Sequence, residues 1–240
     1  MKYKQVLWLD LETLSLDPTV ASISEMAYIP EAFGETHGLT YFPVQPIMHC
    51  EDQVFGDVYL PIVVNKYNAH LHDKDPSQLV DFKFPGGDSL FFYSRNALTF
   101  NVPAPGIKDP SEWLLRPGSV SSRKALEQLI TDLDSFTVDP KIRWVLAGHN
   151  VSFDHAVLSN WATRLLGEKE AKERLLCKIN SFEFLDTLSL VRWHMFSGDL
   201  EIPNARLETV AKYLKLKTSA HTAASDVETS RNVAKLLLRK

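Results

Sequence analysis

Short apolar runs at the start of the chain have the pattern of buried β-strands. Residues 4–11 predict a first strand, because Val6 to Leu11 are apolar apart from Asp10. An Asp-Pro turn follows, and the stretch "ASISEMAYIPEAF" predicts a second strand near 21–29. The stretch "GLTYFPVQP" predicts a third strand. The first part of the chain is therefore expected to form a sheet.

From residue 121 onward, apolar spacings typical of helices alternate with those typical of strands. The stretch "SSRKALEQLITDLDSF" predicts a helix with Ser121 or Ser122 as its N-cap. The stretch "IRWVLAGHN" predicts a buried strand that leads into a helix, and "INSFEFLDTLSLVRWHMF" predicts another strand and helix. Two amphipathic helices, "RLETVAKYLKL" and "SDVETSRNVAKLLLRK", follow. Strands that lead and then alternate with helices indicate an α/β chain.

The region between these two parts has a different character. Pro, Gly, Asn and Asp interrupt short aromatic pieces such as "DFKFPGGDSLFFYSRNALTFNV", which predict extra hairpin strands. We interpret the chain as a single domain over residues 1–240 with an insertion at about 43–119.

Composition and charge narrow the class of protein. Hydrophobic residues make up 45% and charged residues 23%, as in ordinary globular proteins. The first residues lack the apolar segment of a signal peptide and no later run approaches a membrane span, so we expect a cytoplasmic protein with no membrane partner. Cys50 and Cys177 are far apart, which disfavours a disulfide framework or a zinc site. The formal charge of −4 provides no basic patch for tight duplex binding, although it does not exclude an enzyme of nucleic acids whose site is acidic because it holds metal ions.

Two carboxylates, Asp10 and Glu12, interrupt the first predicted strand. Residues two apart on a strand share a face, so both side chains converge. Carboxylates that close repel each other and are costly to desolvate unless a cation lies between them, and oxygen ligands suit Mg²⁺ or Mn²⁺ rather than zinc. The same spacing recurs at Asp199 and Glu201, in a stretch with glycine and proline that predicts a solvated loop. The spacing alone therefore identifies no site.

Two further segments add candidate residues. The stretch "AGHNVSFDHAVL" places Asp154 in the first turn of a helix, with His149 and Asn150 at the end of the preceding strand, where α/β sheets tend to place their sites. The helix dipole would account for Asp154 alone. The stretch "HTAASDVETS" has His221 five residues before Asp226, near the start of the last helix. A helix N-cap preceded by a loop histidine accounts for this segment equally well.

Taken together and in this order, the three segments resemble the motifs of the DEDDh exonuclease superfamily. These ribonuclease H-like nucleases include the exonuclease subunit of the bacterial replicative polymerase, ribonuclease T and oligoribonuclease. "DLET" is similar to the first motif, "HNVSFD" to the second and "HTAASD" to the third, and "LDTLSLVR" also looks like a family segment. The resemblance covers residues 4–42 and about 120–238. It implies a ribonuclease H-like α/β fold, with a mixed sheet of about five strands, helices on both faces and an inserted region.

The resemblance also implies an activity, namely metal-dependent 3′–5′ hydrolysis of single-stranded DNA or RNA to nucleoside 5′-monophosphates. By similarity, two divalent cations, Mg²⁺ or Mn²⁺, would be bound by Asp10, Glu12, Asp154 and Asp226. His221 would accept the proton of the attacking water, and the alternative is a histidine that only hydrogen-bonds its neighbours. DNA is slightly favoured over RNA, because no residue visibly reads a 2′-hydroxyl.

The segment after Glu12 departs from the family pattern. The family usually continues with Thr, often a second Thr, and then Gly, whereas Leu14 follows Thr13 here. Without the glycine, contacts to the terminal base are less clearly specified than metal binding. Phe153, just before Asp154, could stack on a base, although an aromatic residue at the start of a helix more often belongs to the core. The candidate substrate-binding residues are Thr13, Leu14, Leu16, Asn150 and Phe153.

The second departure is length, since Glu12 and Asp154 are 142 positions apart. The surplus lies mostly within 43–119, which could extend a nucleic-acid channel or dock a replication protein such as a polymerase. The rival from another class is a catalytically silent nucleic-acid- or polymerase-binding module that keeps the nuclease fold. The presence of all five catalytic-type residues argues against that rival. The sequence leaves open the oligomeric state and the choice between proofreading, trimming and scavenging.

Overall fold

A computed structural model describes residues 5–13, 17–19, 21, 23–45, 79–83, 89–93, 120–217 and 222–238. The strands are β1 (Gln5–Thr13), β2 (Ile23–Ala32), β3 (Glu35–Thr36), β4 (Thr40–Gln45), β5 (Leu79–Lys83), β6 (Ser89–Tyr93), β7 (Val120–Ser121), β8 (Trp144–Gly148) and β9 (Ile179–Asp186). The helices are α1 (Ser122–Phe136), α2 (Val151–Leu166), α3 (Glu168–Arg174), α4 (Thr187–Phe196), α5 (Leu207–Tyr213) and α6 (Ala223–Leu237), with a 3₁₀ turn at Leu176–Lys178.

The main sheet has the strand order β7-β4-β2-β1-β8-β9, with β3 paired to β2. Strands β1 and β4 each pair antiparallel with β2, whereas β8 pairs parallel with β1 and β9 pairs parallel with β8. The prediction of a mixed α/β sheet is confirmed. The expected five strands correspond to β1, β2, β4, β8 and β9, and the two-residue strands β3 and β7 bring the total to seven.

The alternation of side chains along β1 assigns the two faces of the sheet. Leu7, Leu9 and Leu11 pack into a cluster with residues of α1 and α2. Val6 and Trp8 point to the other face, where they pack with residues of α6. Helices therefore cover both faces, as the resemblance implies. Because the period of a strand is two, Asp10 and Glu12 belong to the face that α6 covers.

The predicted helix starts are confirmed for α1 and shifted for α6. Ser121 is the N-cap of α1, and its side chain accepts a hydrogen bond from the N–H of Lys124. Helix α6 begins at Ala223, before the predicted stretch that starts at Ser225, because Thr222 is the N-cap and its side chain accepts from the N–H of Ser225 at 3.2 Å. Helix α3 was not predicted, since its stretch is mostly charged and only Ala171 in it is buried.

The insertion contributes one described feature. Strands β5 and β6 form an antiparallel pair in which Leu79 lies opposite Tyr93. Hairpin strands were predicted in this aromatic stretch, and this pair confirms them. Residues 46–78, 84–88 and 94–119 lie outside the described residues.

No helix in the described part of the chain is both long enough and apolar enough to cross a membrane.

Glu31, on β2, ties α6 to the sheet. Its carboxylate accepts hydrogen bonds from Trp8 Nε1 at 2.9 Å and from Arg231 Nε at 2.6 Å, and Lys235 Nζ lies 3.4 Å away. Burial acts to raise the pKa of Glu31, but the hydrogen bonds from Trp8, Arg231 and Thr36 outweigh it and hold that pKa below its ordinary value. The ionised form therefore stabilises the packing of α6 on β1 and β2.

We expect Glu31→Gln to lower the free energy of unfolding near pH 7 by about 2 kcal/mol, because Arg231 loses its charged partner. A depressed carboxylate pKa contributes stability above about pH 4.3 that disappears as the pH falls through the folded-state pKa. Urea unfolding across this range should therefore show wild type and variant converging in acid. Glu35→Gln, at an exposed position on β3, is the control. An equal deficit at every pH would contradict this account.

Candidate metal and active site

Three of the predicted acidic residues meet at one point. One carboxylate oxygen from each of Asp10, Glu12 and Asp226 lies within 4.8 Å of the other two, and all three residues are half-buried. Asp10 and Glu12 share one face of β1, and Asp226 lies in the first turn of α6. The group forms because α6 packs on that face of β1.

The chemistry of this group fits a divalent cation. Like charges at this separation repel one another and are costly to desolvate together. Carboxylate oxygens are hard ligands that Mg²⁺ and Mn²⁺ prefer, and the group contains no thiolate or imidazole of the kind that favours zinc. Asp10, Glu12 and Asp226 could therefore hold Mg²⁺ or Mn²⁺.

Asp154 adjoins the group without belonging to it among the described residues. Its side chain is 5% exposed, and Oδ1 accepts a hydrogen bond from the N–H of Leu11 at 3.1 Å. Pairing between β1 and β8 ends at Trp8, so this N–H lies beyond the ladder and finds its acceptor in the carboxylate. Asp154 is thereby tied to the backbone between Asp10 and Glu12.

The surroundings of Asp154 disfavour the negatively charged form of its own carboxyl group. Burial raises the pKa of this carboxyl well above its ordinary value, and the charges of Glu12 and Asp186 add to that effect. Hydrogen bonds from the N–H groups of Leu11 and of Asp154 itself act in the other direction. Burial prevails, so a nearby cation would be needed to favour the ionised form.

The turn between β8 and α2 explains how Asp154 reaches β1. A Cβ atom at Gly148 would lie 2.7 Å from the carbonyl oxygen of Leu9, so only glycine fits there. Asn150 then adopts a left-handed conformation (φ 65°, ψ 36°), which asparagine tolerates better than most residues. Its N–H donates to Asp186 Oδ1 at 2.8 Å. These contacts fix the start of α2, whose first turn carries Asp154.

Sequence reasoning missed Asp186 as a member of this site. Its carboxylate caps α4 by accepting from the N–H groups of Leu188 and Ser189, and it also accepts from Asn150. The aspartate in "LDTLSL", between a strand and a helix, is an N-cap signal that could have identified the local role. The contact with Asn150 depends on the parallel pairing of β8 with β9 and leaves no local signal.

Glu25 is the second residue that sequence reasoning missed. It is fully buried on β2, directly opposite Glu12. Its Oε2 accepts a hydrogen bond from the N–H of Ala223 at 3.2 Å. The apolar stretch around it gives no sign that this glutamate is buried beside the acidic group.

The remaining predicted residues are placed as follows. Thr13 is buried after an irregularity in the β1–β2 pairing, and Asn150 is exposed. Phe153 is half-buried and packs against the core shared by α1 and α2, as aromatic residues at helix starts commonly do. Residues Leu14, Leu16 and His221 lie outside the described residues.

Two other features of the sequence have structural roles. His149 is half-buried with Nδ1 3.0 Å from Thr187 Oγ1, and burial lowers its pKa. Asp199 and Glu201, which repeat the Asp-x-Glu spacing, are both exposed, which confirms the predicted solvated loop. Asp199 accepts from Ser197 Oγ at 2.7 Å and contacts His194.

The fold is similar to that of exonuclease I. E. coli exonuclease I in complex with a dT13 oligonucleotide aligns at a TM-score of 0.59 and 16% identity, over 98% of this chain and 40% of that chain. Exonuclease I from Methylocaldum szegediense aligns with the same four values. The SSB/exonuclease I structure in complex with the inhibitor CFAM aligns at a TM-score of 0.60 and 15% identity, over 100% of this chain and 42% of that chain.

These comparisons establish the fold. The ribonuclease H-like architecture that the three segments predict is confirmed, and the chain spans about two fifths of the length of the exonuclease I chains it matches. No protein-family model matches the sequence, and the comparison with curated proteins finds no match.

We expect Asp154→Asn to stabilise the protein in EDTA at pH 7 by on the order of 1–3 kcal/mol, because the amide keeps an acceptor for Leu11 and avoids the cost of burying a carboxyl group that is ionised in the unfolded chain. A carboxyl whose pKa rises on folding opposes folding increasingly as the pH climbs above about 3.9. Thermal unfolding should therefore show a gain that shrinks toward acid pH. Asp134→Asn, at an exposed position where the carboxylate pairs with Lys178 on the surface, should change little. A destabilised Asn variant at pH 7 would contradict the assignment of the raised pKa.

Proposed function

We propose that this chain is a metal-dependent 3′–5′ exonuclease that hydrolyses single-stranded nucleic acid to nucleoside 5′-monophosphates. The observation that carries the proposal is the convergence of Asp10, Glu12 and Asp226, whose oxygens lie within 4.8 Å of one another. The sequence segments that supply them are those that resemble exonuclease motifs. The similarity of the fold to exonuclease I supports the same conclusion.

The acidic residues would hold two divalent cations, Mg²⁺ or Mn²⁺. Asp10, Glu12 and Asp226 form the first site, and Asp154, tied to the β1 backbone, supports the second. Bound cations of this kind stabilise charge on the attacking and leaving oxygens of an in-line displacement at phosphorus. The buried position of Asp154 and its contact with Leu11 keep its carboxylate in one place.

His221 is the proposed general base. An imidazole with a pKa near its ordinary value of about 6.5 can accept a proton from water at neutral pH. Along the chain, His221 precedes the first residue of α6 by two positions and Asp226 by five. The anchored start of α6 is therefore close in sequence to both the base and a metal ligand.

The substrate is proposed to be the 3′ end of single-stranded DNA, with RNA as the weaker alternative. The structures of exonuclease I with dT13 support a single-stranded DNA substrate. Thr13, Leu14 and Leu16 follow the metal ligands of β1 and are proposed to contact the terminal nucleotide. Asn150 is exposed beside the turn that carries Asp154, and Phe153, which is half-buried, is proposed to contact a base.

A replication protein is proposed as a partner, docked on the insertion at about 43–119. The SSB/exonuclease I structure, of a protein with a similar fold, supports a protein partner of this kind. We propose a cytoplasmic location for the activity.

We expect 5′-labelled single-stranded DNA to be shortened from its 3′ end in one-nucleotide steps with Mg²⁺ or Mn²⁺ and to stay intact in EDTA. Matched RNA should be shortened more slowly. A time course resolved on a sequencing gel measures both. Internal cuts, or a ladder that persists in EDTA, would refute the proposed activity.

We expect Asp10→Asn to reduce this digestion by at least about 100-fold, because a metal ligand is lost while the fold remains. Glu201→Gln, from the exposed second Asp-x-Glu pair, should digest at the wild-type rate. Initial rates and circular dichroism spectra of both variants provide the comparison. If Asp10→Asn retained full activity, the catalytic centre would lie elsewhere.

A further inference from the structure

We propose that Glu25 is a positioning residue for the acidic centre: its buried carboxylate holds the first residue of α6 and so sets where Asp226 lies relative to β1. This inference rests on the proposed function, because it concerns the same centre. It assigns a purpose to a buried charge that the three sequence motifs do not include.

Glu25 is buried in the sheet next to the acidic residues of β1. It lies on β2 directly opposite Glu12 of β1 in the antiparallel pair, and it is fully buried. Side chains directly opposite each other in an antiparallel pair point to the same face, with Cβ atoms about 4.5–5.5 Å apart. Glu25 therefore lies on the face that α6 covers, beside the metal-binding candidates.

Glu25 contacts the first residue of α6. Glu25 Oε2 accepts the N–H of Ala223 at 3.2 Å, in a buried hydrogen bond between residues 198 positions apart. The N–H groups of the first helical turn have no partner within the helix, and a negative charge near them is favourable. Thr222 satisfies the N–H of Ser225, so Glu25 and Thr222 satisfy different donors of this turn.

The helix that Glu25 contacts also carries Asp226 of the acidic centre. Ala223 and Asp226 are three residues apart in α6 and lie on neighbouring positions of one helix face. Holding the N–H of Ala223 in place therefore also holds the Asp226 side chain at a set position relative to β1. Arg231 and Glu31 fix α6 two turns further along, so two glutamates of β2 hold the helix at separate points.

A glutamate at this position is unfavourable in two respects, and its role as the acceptor for Ala223 accounts for its presence there. A negative charge opposite Glu12 is unfavourable, and so is the burial of a carboxylate. Among the described residues, the group within 4.8 Å comprises Asp10, Glu12 and Asp226, and Glu25 is outside it. The hydrogen bond with Ala223 is the contact through which we propose that Glu25 acts on the centre.

Two substitutions of Glu25 by residues of similar size distinguish the effect of its hydrogen-bond acceptor from the effect of its charge. Glu25→Gln keeps an oxygen that can accept from Ala223, and Glu25→Met removes it. We expect the Mg²⁺ concentration for half-maximal digestion to stay within about twofold of wild type in the Gln variant and to rise about tenfold in the Met variant. The maximal rate at saturating Mg²⁺ should change less than this concentration does. Binding of Mn²⁺, followed by electron paramagnetic resonance, should weaken in the same order without any substrate present.

Ala223→Pro tests the same bond from the other side. Proline is favoured at the first helical position, and Thr222 already has the extended backbone (φ −127°, ψ 145°) that a following proline requires. The substitution removes the donor and leaves Glu25 in place, so it should also weaken Mn²⁺ binding. The double variant with Glu25→Met should be no worse than the more impaired single variant, because both remove one interaction.

The outcomes distinguish the two proposals. A wild-type protein that neither binds Mn²⁺ nor digests DNA would overturn the proposed function and this inference together. An active wild type whose Met and Pro variants bind Mn²⁺ normally would overturn the inference alone. Equal impairment in the Gln and Met variants would also overturn it, since the charge and not the hydrogen bond would then matter. Circular dichroism and thermal melting of each variant establish that it is folded, and the Gln variant supplies a test even where another does not fold.

Discussion

The concentration of negative charge at the edge of the apolar core is the constraint on which the rest of the structure depends. The two-residue period of β1 points Leu7, Leu9 and Leu11 into one layer, and it points Asp10 and Glu12 to the other side, next to Trp8. Helix α6 covers that side and brings Asp226 to the same point. Such a group is unfavourable in an apolar setting without a cation. The fold therefore brings together charges that a bound divalent cation would compensate.

Helix α6 joins the stability of the fold to the geometry of the centre. Val227 and Ala234 are buried against the sheet, and Arg231 forms an ion pair with Glu31 on β2. The same helix carries Asp226 in its first turn. Packing, the ion pair and the hydrogen bond from Ala223 to Glu25 therefore act together on the position of one proposed metal ligand. On the opposite face, α2 is fixed by the turn at Asn150 and presents Asp154 to β1.

Much of this arrangement could be predicted from the sequence, because it follows from local patterns. Apolar periodicity predicted the five long strands and most helices, and the strand period predicted that Asp10 and Glu12 share a face. Glu25 and Asp186 could not be recognised, since their partners Ala223 and Asn150 lie 198 and 36 positions away and meet them only through sheet pairing and helix packing. Helix α3 was missed because it buries little apolar surface. The roles of His221, Leu14 and Leu16 remain predictions.

The most direct test of the account is anomalous scattering from a crystal of the wild-type protein soaked in Mn²⁺ and measured near the manganese absorption edge. The account predicts an anomalous peak within coordination distance of the carboxylate oxygens of Asp10, Glu12 and Asp226, and its loss in Asp10→Asn crystals soaked in the same way. Carboxylates that stay together at full Mn²⁺ with no peak between them would contradict it.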